Sequence, residues 1–289
     1  MDWPHLHPAA AWIFALDWAI RIGALLWIPV RSTPAAARSW LLLVGFLPLL
    51  GLPLYLAFGQ PWVSRLRRER QANASRVIAE RQQPLGHLRW TPHPDSIADD
   101  VARLVEHTGA FMPMTGNAVQ LDDDYARSLQ GLLQDIAGAR EHVHLLYYLM
   151  YDDAVGRAVA DALAAAAARG VRCRLLLDAV GAKRGLRAFA PALRAAGVEV
   201  HAMLAGGLAW RRSARMDLRN HRKLAVIDGR IGWTGSQNLA EAEFIPGVPN
   251  REVVARVQGP AVAQLAALFA SDWYLETGQV LALPAHPPA

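Results

Sequence analysis

The sequence predicts an α/β domain preceded by two membrane-spanning helices, and three observations carry that prediction. Two long apolar segments fill residues 1–60, and short strand-like runs alternate with helical ones from Gly116 onward. Between two of those runs lies a dense polar string, "NHRKLAVIDGRIGWTGSQN", from Asn220 to Asn238. At 289 residues and 53% hydrophobic content the chain can bury one large core or two ordinary ones, which excludes a disordered tail.

The first apolar segment, Ala11 to Val30, and the second, Trp40 to Phe58, are each about as long as the roughly 20 helical residues that cross a bilayer. Asp17 and Arg21 stand four apart in the first, so they meet on one helix face and neutralise each other. A signal peptide fits poorly, because no basic residue precedes the first segment and a second apolar segment follows at once. Pro48 and Pro53 would break a soluble helix but are tolerated in a membrane. Arginines 65, 67, 68, 70 and 76 follow the second segment, whereas the loop between the two holds Arg31 and Arg38. The positive-inside rule therefore puts the remainder in the cytoplasm, with that cluster either against anionic headgroups or on a solvated helix.

Residues 61–115 mix charge, proline and short apolar runs and read as a basic linker region with some helix. A strand at Ala118–Leu121 then meets "DDD", whose carboxylates suit the start of a helix running to about Arg140. "HVHLLYYLM" reads as a strand, "AVGRAVADALAAAAARG" as a helix stopped by Gly170, and "VRCRLLLDAV" as a buried strand. A helix from about Gly185 to Ala196, strands in "VEVHAM", "KLAVID", "IGWTGS" and "EVVARV", and an apolar helix in "GPAVAQLAALFASDWYLETG" complete the series.

The basic side is almost entirely arginine, with lysine only at Lys183 and Lys223. Arginine suits phosphate-bearing partners, lipid headgroups or nucleic acid, and a net charge of +5 does not choose between them. Cys173 is the single cysteine, which excludes an intrachain disulfide and a cysteine-based zinc site, and it reads as a small core residue.

In the polar string, residues two apart on an extended strand share a face, so His221 and Lys223 project together. The turn "IDGR" reverses the chain and returns Ser236 and Asn238 toward them, while Gly235 permits close backbone approach. An imidazole nucleophile beside an ammonium group and an amide suits a phosphodiester. Asp228 stands seven residues from His221, so strand parity points it away, as a turn residue bonding local backbone. His142 and His144 share a strand face without a third metal ligand of suitable spacing, and Tyr147 and Tyr148 read as core or pocket lining.

The string His221-x-Lys223-x4-Asp228-x6-Gly235-Ser236-x-Asn238 resembles the phospholipase D superfamily motif at each defining position. With the apolar segments, the arginines behind them, "RMDLRNHRKLAVIDGRIGWTGSQN", "VQGPAV" and "SDWYLETG", the chain resembles bacterial cardiolipin synthases of that superfamily. The resemblance implies a phospholipase D-like sheet flanked by helices, with 1–60 a two-helix anchor, 61–115 the linker region and 116–289 a single catalytic repeat. It implies transfer of a phosphatidyl group between two phosphatidylglycerol molecules, giving cardiolipin and glycerol at a bacterial cytoplasmic membrane. Neither a metal nor a nucleotide or redox cofactor is called for, and no nucleic-acid partner is expected.

Carried over by position, the catalytic set is His221, Lys223, Asp228 and Glu252. His221 is the expected nucleophile and Glu252 the carboxylate that fixes its tautomer, with Glu241 and Glu243 ranked behind. Lys223, Ser236 and Asn238 are expected to bind substrate phosphate. The chemistry also needs a second histidine as acid and base. A second His-x-Lys would have to use Lys183, and position 181 is Gly181. The expectations are a truncated form, a homodimer or a separate second-repeat subunit; the alternatives are a homodimeric phospholipase D or phosphodiesterase, and a non-catalytic protein binding anionic lipid.

Overall fold

The computed structural model describes residues 8–59, 65–109, 111–205 and 219–282. Residues 215–218 of the quoted string and the end of "LALPAHPPA" lie outside the described residues. The chain divides into two compact units, Met1–Val63 and Ser64–Ala289.

In the first unit α1 (Pro8–Arg31) is a continuous helix, of which Ala11–Arg31 is long and apolar enough to cross a membrane. The expected second spanning helix is broken: α2 (Pro34–Phe46) and α3 (Pro48–Leu54) are separated at Leu47, and a π-helical turn follows over Tyr55–Gly59. Pro48 is the cause, because its ring drives the preceding residue out of the helical region, and Leu47 sits at φ −132°, ψ 69°. Ala24, Ile28, Ala37, Val44 and Tyr55 form the buried seam of this unit. The Asp17–Arg21 pair forms, at 2.7 Å, and Arg21 also donates to the carbonyl of Gly45.

The second unit opens with α4 (Arg65–Gln82) and α5 (Ile97–Gly109). It continues as β1 (Ala118–Asp122), α6 (Tyr125–Gly138), β2 (His142–Tyr147), α7 (Ala154–Ala168), β3 (Arg172–Asp178), α8 (Lys183–Ala195) and β4 (Glu199–Met203). The elements β5 (Leu224–Ile227), β6 (Ile231–Gly235), β7 (Val254–Gln258) and α9 (Ala261–Thr277) complete it. The seven strands form one sheet in the order β1-β7-β6-β5-β2-β3-β4. Neighbours β2, β3 and β4 run parallel, as their helical crossovers require, and the remaining pairs are antiparallel.

Helices cover both faces. Leu132, Ile136, Val159, Leu163 and Leu193 of α6, α7 and α8 pack on one side against Val143, Leu145, Leu175 and Val200 of the sheet. On the other, Phe269 and Trp273 of α9, both fully buried, pack on Leu146, Leu176 and Val226. The helix start read from "DDD" is capped by Asp124, which accepts the Arg127 N–H, and at the start of α7 Asp153 likewise accepts the Gly156 N–H. Helix α4 carries part of the arginine cluster to α9, where Arg67 pairs with Glu276 at 2.8 Å and Arg70 donates to the carbonyl of Leu275 at 3.0 Å. Arg70 thus satisfies a carbonyl at the C-terminus of α9, and Arg67 neutralises a carboxylate there.

Candidate active site

The β5–β6 hairpin builds the site. Because Leu224 pairs with Thr234, the chain entering β5 at His221–Lys223 and the chain leaving β6 at Ser236–Asn238 lie side by side. The antiparallel register of β5 on β2, Leu224 opposite Leu146, brings the C-terminal end of β2 to the same edge. The site therefore sits at the carboxyl ends of the parallel strands, where open α/β sheets hold their ligands.

His221 is exposed, and its imidazole stacks on the ring of Tyr148, with centroids 3.8 Å apart and planes at 21°. The ammonium of Lys223 lies 5.7 Å from the centre of the same ring and donates to the carbonyl of His221 at 2.7 Å. His221 and Lys223 are thus brought together as strand spacing requires, with Tyr148 as their common platform. Tyr148 in turn lies against Gly181, where a Cβ would stand 2.7 Å from the Tyr148 ring. Tyr147 faces the other way and is buried in the core.

Asn238 is buried, and its Oδ1 accepts the Leu149 N–H at 3.1 Å, which fixes the amide with its NH2 as the remaining donor. Lys223, Thr234 and Asn238 line one small cavity. Partial burial pulls the Lys223 ammonium below its ordinary value of 10.5, and the charge of Glu252 opposes that fall. Glu252 lies just before β7 and meets the site through this charge; no hydrogen bond joins it to His221 among the described residues. Ser236 exchanges bonds with Val253: its Oγ accepts the Val253 N–H at 3.0 Å and donates to the Val253 carbonyl at 3.3 Å. It clamps the Glu252 segment to the hairpin. Gly235 makes that approach possible, since a Cβ there would lie 2.7 Å from Val254 Cα.

Asp228 stands at the opposite end of the hairpin. With φ at +52° it forms the β5–β6 turn, and its carboxylate accepts the N–H groups of Arg140, Glu141 and His142 at 2.8–2.9 Å. It ties the turn to the start of β2. Glu241 and Glu243 are exposed in the loop after the site. His144 stacks on Phe269 at 4.5 Å, and burial pushes its pKa down to about 2, so it packs as a neutral ring.

Two carboxylates escaped the sequence reading. Asp178, at the end of β3, is fully buried; it accepts the N–H groups of Val180 and Gly181 at 2.9 Å and approaches Arg219 and the Asn220 N–H. Asp272, buried on α9, holds Arg222 at 2.8 Å and Asn220 at 3.3 Å. Together they fix the backbone on either side of His221. The signal for each was an acid inside an otherwise apolar run, "LLLDAV" and "FASDWYL".

Residues 132–273 match the family described as cardiolipin synthase, phospholipase D-like domain. Over 96% of its length the chain is 33% identical to cardiolipin synthase A of Pectobacterium carotovorum, and over 94% it is 34% identical to that of Yersinia pseudotuberculosis. It spans 59% and 57% of those relatives. Among solved structures, the phospholipase D family member Nuc from Salmonella typhimurium aligns at 19% identity and a TM-score of 0.42, covering 56% of this chain and 97% of that one. Residues 132–273, with His221, Lys223, Ser236 and Asn238 among them, thus match the phospholipase D-like domain described for cardiolipin synthases.

Proposed function

We propose that this chain supplies one half of a phosphatidyltransferase site that makes cardiolipin from two phosphatidylglycerol molecules through a phosphohistidine at His221. The observation that carries the reading is the placement of an exposed imidazole, a lysine ammonium and an oriented amide on one sheet edge. A ring nitrogen of His221 forms a bond to phosphorus as the P–O bond to the headgroup glycerol breaks. That glycerol oxygen takes a proton from a second histidine, and glycerol departs. The same histidine then accepts the proton of the second phosphatidylglycerol's primary hydroxyl, whose oxygen bonds phosphorus as the N–P bond breaks.

Lys223 and the Asn238 NH2 hold the equatorial oxygens as charge develops. Glu252 keeps Lys223 charged and orients His221 once substrate draws the two together. Ser236 fixes the segment carrying Glu252, and Asp228 holds the hairpin. The second histidine comes from a second repeat, in a further part of the same polypeptide, another copy of this chain or a separate polypeptide, docked over the exposed His221. The organisation that suits this work is an anchor at 1–60, a basic linker region at 61–115 and the repeat at 116–289. In it α1 and the broken α2–α3 both cross a bacterial cytoplasmic membrane, with the repeat on the cytoplasmic side. The relatives' identity as cardiolipin synthase A supports the choice of product.

The test is to offer purified protein in detergent phosphatidylglycerol and to follow cardiolipin and free glycerol. Equimolar release of both is expected. Self-associated, folded protein that binds phosphatidylglycerol but forms neither product, even with the second repeat of a relative added, would overturn the proposal.

Two predictions concern the site's tuning. In the free enzyme the alkaline limb of kcat/KM falls below 10.5, because Lys223 loses its proton early, and Glu252→Gln moves the limb lower still by removing the charge that favours the ammonium. A pH–rate profile of both proteins checks the sign. Tyr148→Leu lowers kcat by about 10-fold or more with KM little changed, since an imidazole displaced by about 1 Å loses its line of attack, while Tyr148→Phe keeps the stack and the rate.

A further inference from the structure

The loop that leaves the site at Asn238 returns to it at Glu252, and its far end is apolar and bare. Ile245-Pro246-Gly247-Val248 folds as a tight turn: Gly247 takes the left-handed position at φ +76°, and the Val248 N–H donates to the Ile245 carbonyl at 3.0 Å. The base of the loop is closed as firmly. Asn250 donates its backbone N–H and its side-chain amide to the Ala242 carbonyl at 2.9 and 2.8 Å, and the Phe244 ring meets Tyr151 edge-on at 5.4 Å. Ile245 and Val248 are nevertheless 51% and 53% exposed, with Pro246 and Pro249 exposed beside them. Backbone bonds thus hold apolar side chains out in solvent, against the hydrophobic drive to fold them inward.

Singly exposed apolar residues carry little meaning, but these do not stand alone. Val253, beside Ser236, and Val180, between Asp178 and the Gly181 that lies against Tyr148, are also about half exposed. All four stand on loops at the same sheet edge as His221. Cations accompany them. Lys183, Arg184 and Arg251 are exposed and enter no ion pair among the described residues, and Arg184 lies over the Tyr151 ring at 5.8 Å, one ring from Phe244. They outnumber the exposed acids at the base of the loop, Glu241 and Glu243. An apolar tip with a basic collar behind it suits the boundary between anionic headgroups and acyl chains.

We infer that the Ile245–Val248 tip inserts into the headgroup–acyl boundary of an anionic bilayer, with Lys183, Arg184 and Arg251 against the lipid phosphates, and so presents the His221 edge to lipid still held in the membrane. The inference rests on the phospholipid substrate proposed above and adds the way that substrate reaches the site. A diacyl phospholipid drawn into water re-exposes its methylenes, and a site that meets the bilayer avoids that cost.

The test uses the full chain reconstituted in lipid nanodiscs, one chain per disc, with Ile245→Cys or Val248→Cys carrying an NBD fluorophore. Cys173 is buried, so wild type serves as the unlabelled blank. Blue-shifted emission, quenched by nitroxides on the acyl chains, is expected in discs containing phosphatidylglycerol, with weaker quenching in phosphatidylcholine alone. Arg184→Gln with Arg251→Gln is expected to abolish that difference. Ile245→Ser with Val248→Ser is expected to raise KM for bilayer phosphatidylglycerol about fivefold or more, leaving turnover of monomeric short-chain phosphatidylglycerol unchanged. A label that stays in water, or quenching that ignores lipid charge, overturns the inference. So does a blue shift that appears only when two chains share a disc and that the lipid quencher does not touch, which would mark a contact between copies. Because the fluorescence is read without turnover, a tip seated in lipid with no cardiolipin formed would bring down the transfer reading and leave the insertion standing.

Discussion

His221→Ala is expected to reduce cardiolipin formation by at least about 10³-fold while leaving the protein folded. A nucleophile's loss removes the covalent route entirely, and what survives is whatever Lys223, Asn238 and substrate binding achieve without it. The folding cost is small because His221 is exposed and its main packing contact is the Tyr148 stack, worth about 1 kcal/mol. Phosphatidylglycerol should still bind to His221→Ala, through the lysine and the amide. Product yield, lipid binding and thermal melting measured on the same preparation separate these effects. Loss of activity accompanied by loss of folding would point to a structural histidine instead.

Asp228→Ala is expected to produce the opposite pattern, costing about 3 kcal/mol of stability with turnover of the folded fraction retained. The substitution leaves the N–H groups of Arg140, Glu141 and His142 without their acceptor and removes the residue that holds the turn at positive φ. Those three backbone donors hold the Asp228 carboxyl below the usual carboxylate value of 3.8, outweighing the burial that would raise it. Since its folded-state value is depressed, the stabilisation is present above the ordinary value and disappears as pH falls through the lowered one. Wild type should therefore lose its advantage over Asp228→Ala in acid, where the two melting curves converge. A persistent gap in acid, or lost turnover in folded Asp228→Ala, would assign the residue a different role.

The outline of the α/β unit was legible because its elements are locally consistent. β5 is a wholly apolar run, β3 has an unbroken apolar stretch at Leu175–Leu177, and Asp124 and Asp153 sit where helix caps belong. The grouping of His221, Lys223, Ser236 and Asn238 was legible for a related reason: a tight hairpin converts sequence spacing into spatial proximity, and the β5–β6 register does so here. Parity likewise separated Asp228 from the other motif residues. What spacing could not supply was contact between distant segments. Tyr148 beneath His221, Asp178 behind Asn220 and Asp272 behind Arg222 depend on β2, β3 and α9 meeting at one edge. The second apolar segment is not the single continuous helix expected, for a local reason. Its hydropathy satisfies a membrane span, but Pro48 breaks the helix at Leu47.

The central claim is that His221 becomes covalently bound to the transferred group. Rapid mixing with phosphatidylglycerol, alkaline quenching to preserve phosphoramidate and mass spectrometry of the peptide containing His221 test it most directly. A phosphatidyl adduct on His221, absent from His221→Ala and discharged by further phosphatidylglycerol, is the predicted result. Cardiolipin formed with the adduct on another residue, or with no adduct under conditions that trap a phosphohistidine standard, would contradict it.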